Sequence, residues 1–136
     1  MITITRRLEI DAGHRLVGHE SKCRNVHGHR YVFEVEATST KLDKVGRVVD
    51  FSVLKETLGG WLDEHWDHAF IYQAGDPIGD FLIAHDQRRF EMLAPPTAEN
   101  IASFFLKQAR ALMSTTEIDV VSATVHETPN CRAVAR

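Results

Sequence analysis

Only two of the 136 residues are cysteines, Cys23 and Cys131, and more than a hundred positions separate them. Such spacing argues against a disulfide framework and for free thiols in a reducing compartment, the cytosol. No apolar run approaches membrane-spanning length, and the opening M-I-T-I-T-R-R lacks the apolar core of a secretory signal. An excess of one charge is also missing. The formal net charge is −3, so no global basic field exists to collect nucleic acid, and neither nucleic acid nor a membrane is the expected partner. Repeats and low-complexity tracts do not stand out. What remains is 43% apolar and 26% charged, too hydrophobic for disorder. The length suits a single domain, residues 1–136, around one core.

Residues 2–14 alternate. Ile2, Ile4, Leu8, Ile10 and Ala12 fall on one face, and Thr3, Thr5, Arg7, Glu9 and Asp11 on the other, with Arg6 the one exception. This is the two-residue period of a half-buried strand, and its parity aims His14 inward. A second strand is expected over 27–39, where Tyr31, Phe33, Val35 and Ala37 share a face that His27 and His29 continue. Over 51–66, Phe51, Leu54, Leu58, Trp61 and Leu62 repeat at helical spacing with Ser52 as candidate N-cap, although Gly59-Gly60 weakens the pattern. A second helix, 98–113, follows Pro95-Pro96, is capped by Thr97, and buries Ile101, Phe105, Ala109 and Leu112. Residues 118–128 read as a strand with Val121, Ala123, Val125 and Glu127 on one face, whereas 73–96 has no consistent period and reads as a long loop with room for a short strand or helical turn. Strands with helices packed on one face make an α+β layer architecture.

The chain has eight histidines, at 14, 19, 27, 29, 65, 68, 85 and 126, so one H-x-H pair is weak by itself. Two strand histidines hydrogen-bonded at a sheet end would explain it. Three neighbours strengthen a metal reading: His14 ends another strand and points to the same side, Gly28 removes bulk between the pair, and Cys23 lies just before it. In a strand, His27 and His29 project from one side with Cα atoms about 6.5–7 Å apart. Three neutral imidazoles with an open position suit a catalytic zinc, while three histidines and Cys23 would make a closed structural site. Local spacing does not separate the two. Asp67 and His68, in W-D-H, form a second candidate pair; a helix-end surface pair is the plainer alternative. Glu127 ends an apolar strand face, where an unpartnered carboxylate is costly to bury. It suits the paired N–H edge of a guanine or pterin ring, or else stands exposed on an edge strand.

In chain order, D-A-G-H-R-L (11–16), C-R-N-V-H-G-H (23–29), V-D-F-S-V-L-K (49–55), W-D-H (66–68), P-T-A-E-N (96–100) and V-H-E-T-P (125–129) resemble the 6-pyruvoyl-tetrahydropterin synthase / 6-carboxy-tetrahydropterin synthase family over nearly the whole chain. The resemblance implies a tunnelling fold (T-fold), an antiparallel sheet backed by two helices, assembled as a homohexamer of two trimeric rings. It further implies a Zn2+ held by His14, His27 and His29, with Cys23 off the metal as the catalytic thiol. Asp67 and His68 match the acid/base pair, commonly supplied across a subunit boundary. Glu127 matches the pterin anchor, and Thr97 is a weaker candidate for a pterin contact.

The implied substrate is the small molecule 7,8-dihydroneopterin triphosphate. The three-residue gap between Cys23 and His27 resembles that of the carboxy-forming members. The implied products are then 6-carboxy-5,6,7,8-tetrahydropterin, acetaldehyde and triphosphate, in 7-deazaguanine and queuosine biosynthesis. Alternatives are triphosphate elimination to a pyruvoyl product and a pterin- or purine-binding module without turnover. The chain departs from the family in the longer stretch between His68 and Pro96, and in Ala135 where an aromatic is common, which suggests a trimmed last strand. Cys131, His19, His65, His85 and His126 have no assigned role, and His126 has the opposite strand parity to Glu127.

Overall fold

The two long alternating stretches are the central strands of a computed structural model that describes residues 1–136. Strand β1 (Thr3–His14) runs antiparallel to β2 (His27–Ser39), in continuous register from Thr3 opposite Thr38 to His14 opposite His27. That register brings all three candidate histidines to one end of one face. Ile2 precedes the pairing and is 60% exposed, against the expectation that it belongs to the buried face.

Helix α1 follows in three continuous stretches: an α-helical Phe51–Leu54, a π-helical Lys55–Gly59 and an α-helical Gly60–His65. Its cap is Asp50 rather than the expected Ser52. The Asp50 carboxylate accepts the Ser52 N–H at 2.8 Å, so Ser52 already lies in the first turn. The wide turn ends at the glycine pair, where a Cβ on Gly59 would sit 3.3 Å from Leu8. A bare backbone there lets α1 lie close on β1. Helix α1 is followed by β3 (Phe70–Gln73), a short helix α2 (Ile78–Ala84) and β4 (Arg89–Met92). Helix α3 (Ala98–Met113) begins at Thr97, whose hydroxyl accepts the Asn100 N–H at 3.2 Å.

The sheet order is β4-β3-β1-β2-β5-β6, with β5 at Ile118–Thr128 and β6 at Cys131–Ala135. It is mixed rather than wholly antiparallel, because β3 pairs parallel with β1 and β4 parallel with β3. Helix α2 is the crossover that returns the chain in the same direction from β3 to β4, whereas α1 connects β2 to β3, which run in opposite directions. Both added strands, and α2, fall in or beside the stretch that reads as loop; four-residue strands are too short to display a period. The last strand is not trimmed: β6 pairs through Ala135 opposite Ala123. On β5 a bulge sets Val120 opposite Ala37 and Ser122 opposite Glu36, so Val121 falls out of the inward series and Val120 enters the core.

The core lies between one sheet face and helices α1 and α3, where Leu54, Leu58, Leu62, Trp66, Ile101 and Phe105 meet Phe33, Val35 and Ala37. Leu112, expected in the α3 stripe, only packs at its margin. No helix is long and apolar enough to cross a membrane. At the site end, β1 and β2 approach closely: a Cβ on Gly28 would lie 3.0 Å from the Ala12 carbonyl oxygen. Backbone cannot swing aside as a side chain can. Gly28→Ala is therefore expected to lower stability by about 1–3 kcal/mol and to disturb the neighbouring imidazoles, as read by the urea midpoint and by metal content.

Candidate metal centre and catalytic residues

Strand parity and register bring His14, His27 and His29 together, and β5 adds Glu127. Their four ligand atoms all lie within 4.8 Å of one another. His14 is fully buried, and its ring centroid lies 4.6 Å from that of His27 and 5.1 Å from that of His29. Its Nδ1–H donates to the Pro96 carbonyl at 2.8 Å, and the Nδ1–H of His27 donates to the Asn25 carbonyl at 2.6 Å. A carbonyl can only accept, so both rings carry their proton on Nδ1 and turn the Nε2 lone pair inward. Those two Nε2 atoms are 3.1 Å apart. Facing lone pairs at that distance call for a proton or a cation between them. The His29 Nε2 is buried without a hydrogen-bond donor or acceptor of good geometry, and Glu127 Oε1 lies 3.1 Å from it and 3.8 Å from His14 Nε2.

Burial is the main influence lowering the pKa values of His14 and His29, and the neighbouring imidazoles add to it against the opposing pull of Glu127. Both rings are thereby held in the neutral form that ligation requires. Three imidazole nitrogens and one carboxylate oxygen form a donor set suited to a divalent transition metal. Glu127 keeps the strand parity of Ala123 and Val125 beyond the β5 bulge, which carries its carboxylate to the donors as the alternation predicts.

Cys23 lies in a single 3₁₀ turn, Lys22–Arg24, between β1 and β2. The Leu16 N–H donates to its carbonyl at 2.8 Å. The thiol is free and half-buried, and it is not among the four clustered donors. Tyr31 stands edge-on to His14 and His29, with ring centroids 5.7 and 5.5 Å away. Its buried hydroxyl has no partner. Burial, then the nearby charges of Glu127 and Cys23, push its pKa strongly upward, so it stays protonated.

Asp67 and His68 occupy the turn between α1 and β3. Asp67 Oδ2 is 3.0 Å from His68 Nδ1, and its Oδ1 accepts the Asp11 N–H at 3.1 Å. Burial works against the Asp67 carboxylate, but the Asp11 N–H, the His68 ring and the Arg88 guanidinium together keep its pKa below the usual range. The His68 side chain is 73% exposed. It lines a cleft of about 650 Å³ with Asp11, Gly28, Arg30 and Phe70, and with His27 and His29 of the donor cluster. No hydrogen bond or ion pair joins it to the donors within this chain.

Thr97 holds the start of α3 with its hydroxyl, while the preceding Pro96 carbonyl is the group that reaches His14. His126 faces away from Glu127, as its parity requires, with Nε2 3.3 Å from Glu34. His65 packs on Trp61 and His85 on Phe81, His19 accepts the Ser21 N–H, and Cys131 is exposed. None of them joins the cluster.

The sequence profile described as 6-pyruvoyl tetrahydropterin synthase matches residues 3–136. The chain belongs to that family. It is 42% identical over 134 residues to a Rickettsia bellii protein named 6-carboxy-5,6,7,8-tetrahydropterin synthase, covering 96% of this chain and 97% of that one. A Haemophilus influenzae protein of the same name is 32% identical over 136 residues, with 95% and 94% covered. Among solved structures, an uncharacterized protein from Wolinella succinogenes superposes with a TM-score of 0.86 at 24% identity, covering 98% of this chain and 97% of the other. The Caenorhabditis elegans 6-pyruvoyl tetrahydropterin synthase gives 0.71 at 25% identity over 99% and 94%. The T-fold of the 6-pyruvoyl tetrahydropterin synthase family is thus the fold of this α+β chain, with its clustered histidines at the end of the β1–β2 pair that the 15–26 connection joins.

Proposed function

We propose that this chain is a zinc-dependent 6-carboxy-5,6,7,8-tetrahydropterin synthase, a carbon–carbon lyase. It converts 7,8-dihydroneopterin triphosphate to the carboxylated pterin, acetaldehyde and triphosphate, as a step toward 7-deazaguanine nucleosides such as queuosine. The observation that carries this reading is the facing pair of lone pairs on His14 and His27, joined by His29, with the Cys23 thiol left outside the donor set. The names of the near full-length relatives support the product, and the two widely spaced free thiols support a cytoplasmic setting.

His14, His27 and His29 would hold the ion, which, when bound, polarises the substrate's side-chain oxygens and acidifies the neighbouring C–H and O–H groups. Cys23, near but not on the ion, takes a proton as thiolate. Glu127 keeps one oxygen toward the imidazoles and offers the other to the paired N–H edge of the pterin ring. Asp67 orients the His68 ring, which returns or relays a proton. His68 pairs with Asp67 and has no hydrogen bond or ion pair to the donors of its own chain, which supports its serving the site of a neighbouring subunit in a homohexamer. Thr97, whose capping role leaves its own hydroxyl proton free, is a further contact for the pterin.

Glu127→Gln tests the anchor. It keeps the shape of the side chain but removes the charge that two ring N–H groups would share. Affinity for a non-reactive pterin, measured by calorimetry, is expected to fall about 10–100-fold, with metal content unchanged. Loss of the metal at unchanged pterin affinity would make Glu127 a ligand instead. Trapping the volatile product of the wild-type reaction tests the function itself: acetaldehyde is expected with triphosphate, and triphosphate without acetaldehyde would identify a pyruvoyl-forming enzyme.

A further inference from the structure

The turn that carries Asp67 and His68 is held from two sides. On one, the His68 N–H donates to the Asp11 carbonyl at 2.6 Å and the Asp11 N–H returns a bond to Asp67 Oδ1 at 3.1 Å. On the other stands Arg88, in the segment that has no sequence period. Its Nε–H donates to the Asp67 carbonyl at 2.7 Å, and its Nη2 donates to the carbonyls of Glu64, at 2.6 Å, and Asp63, at 2.5 Å. The Arg88 carbonyl in turn accepts the Phe70 N–H at 3.0 Å, so both ends of this residue bracket His68.

His68 has a φ of +58°, in the left-handed region that a side chain with a Cβ enters at a cost. Such a conformation persists when the surroundings over-determine it. The last carbonyls of α1 have no partners within the helix and carry the negative end of its dipole, which a guanidinium both satisfies and neutralises. The flat fork of an arginine spans three carbonyls at once; a lysine ammonium on a flexible stem does not fix them in the same plane.

We propose that Arg88 is a positioning residue for the reaction: by tying the end of α1 to the Asp67–His68 turn it fixes the direction in which the His68 ring is presented. This rests on the reading of Asp67–His68 as the acid/base pair. Arg88 makes no hydrogen bond or ion pair with the donor cluster; it acts through the backbone of the turn.

The test compares Arg88→Ala, Arg88→Lys, His68→Gln and the double variant R88A/H68Q in the metal-loaded full-length protein, with Arg88→Gln replacing the alanine variant if its thermal melt shows misfolding. In Arg88→Ala, kcat is expected to fall about 10–100-fold, the range that a displaced reacting group costs, with KM and metal content unchanged. Millimolar guanidinium should restore part of that rate, Arg88→Lys should stay low, and the double variant should be no slower than His68→Gln alone. Normal kcat in Arg88→Ala beside a collapsed His68→Gln would overturn the inference, as would a loss that guanidinium does not relieve and that adds in full to that of His68→Gln. Full activity in His68→Gln would instead overturn the reading of the pair on which the inference stands.

Discussion

Cys23→Ala is expected to lower turnover by about 10²–10⁴-fold, the span that one positioned proton acceptor supplies, while the protein keeps its metal. The two halves of that result have separate physical origins. Metal retention follows from the donor set: the imidazoles of His14, His27 and His29 converge without help from the thiol. Loss of rate follows from the chemistry, since no other thiol stands near the site and Cys131 is exposed on the last strand. Elemental analysis and steady-state kinetics on the same preparation separate the two. A variant that loses its metal in proportion to its rate would put sulfur in the coordination sphere and make the site a closed one.

His29→Ala carries the second large effect. Its side chain is 19% exposed, so removing it is less damaging to the core than removing the fully buried His14. Losing one of three imidazoles should weaken metal affinity by more than about 10²-fold, because disturbing even the groups that orient a ligand costs 10–100-fold. Activity should vanish at low metal and return only in part when excess metal is added. Competition with a chromophoric chelator measures the affinity directly. An unchanged affinity would mean that the ion sits elsewhere.

Much of this site could be read before the fold was known, and the reason is periodicity. Residues 3–14 and 27–39 are long enough for two-residue alternation to fix which side chains share a face, and that alone aligned His14 with His27 and His29. Capping chemistry likewise located α3 at Thr97. Periodicity failed where elements were short or interrupted. Strands β3 and β4 have four residues each, and their parallel placement on the β1 side of the sheet depends on pairings distant in sequence that no local pattern announces. The bulge on β5 shifted Val121 out of the inward series. Asp50 rather than Ser52 caps α1, since the two polar residues flanking Phe51 offer equally good oxygens and only the backbone decides between them.

Distance, too, hid some of the functional partners. The Pro96 carbonyl that orients His14 lies 82 positions away in sequence. Arg88, which reaches back to the end of α1, comes from a segment with no readable pattern at all. Tyr31 reads from sequence as an ordinary core residue of β2, and only the packed structure shows its ring edge-on to two imidazoles and its hydroxyl unpartnered. The family resemblance supplied the division of labour between Cys23 and the histidines. The geometry adds that two carbonyls fix the tautomers of His14 and His27 so that their lone pairs face each other.

The most direct test of the whole account is a titration of metal-free protein with Zn2+ in the presence of 7,8-dihydroneopterin triphosphate, following acetaldehyde release. The account predicts a rate that rises in proportion to added zinc and saturates at one ion per chain. Full acetaldehyde release without metal, or triphosphate release with no acetaldehyde at any zinc level, would contradict it.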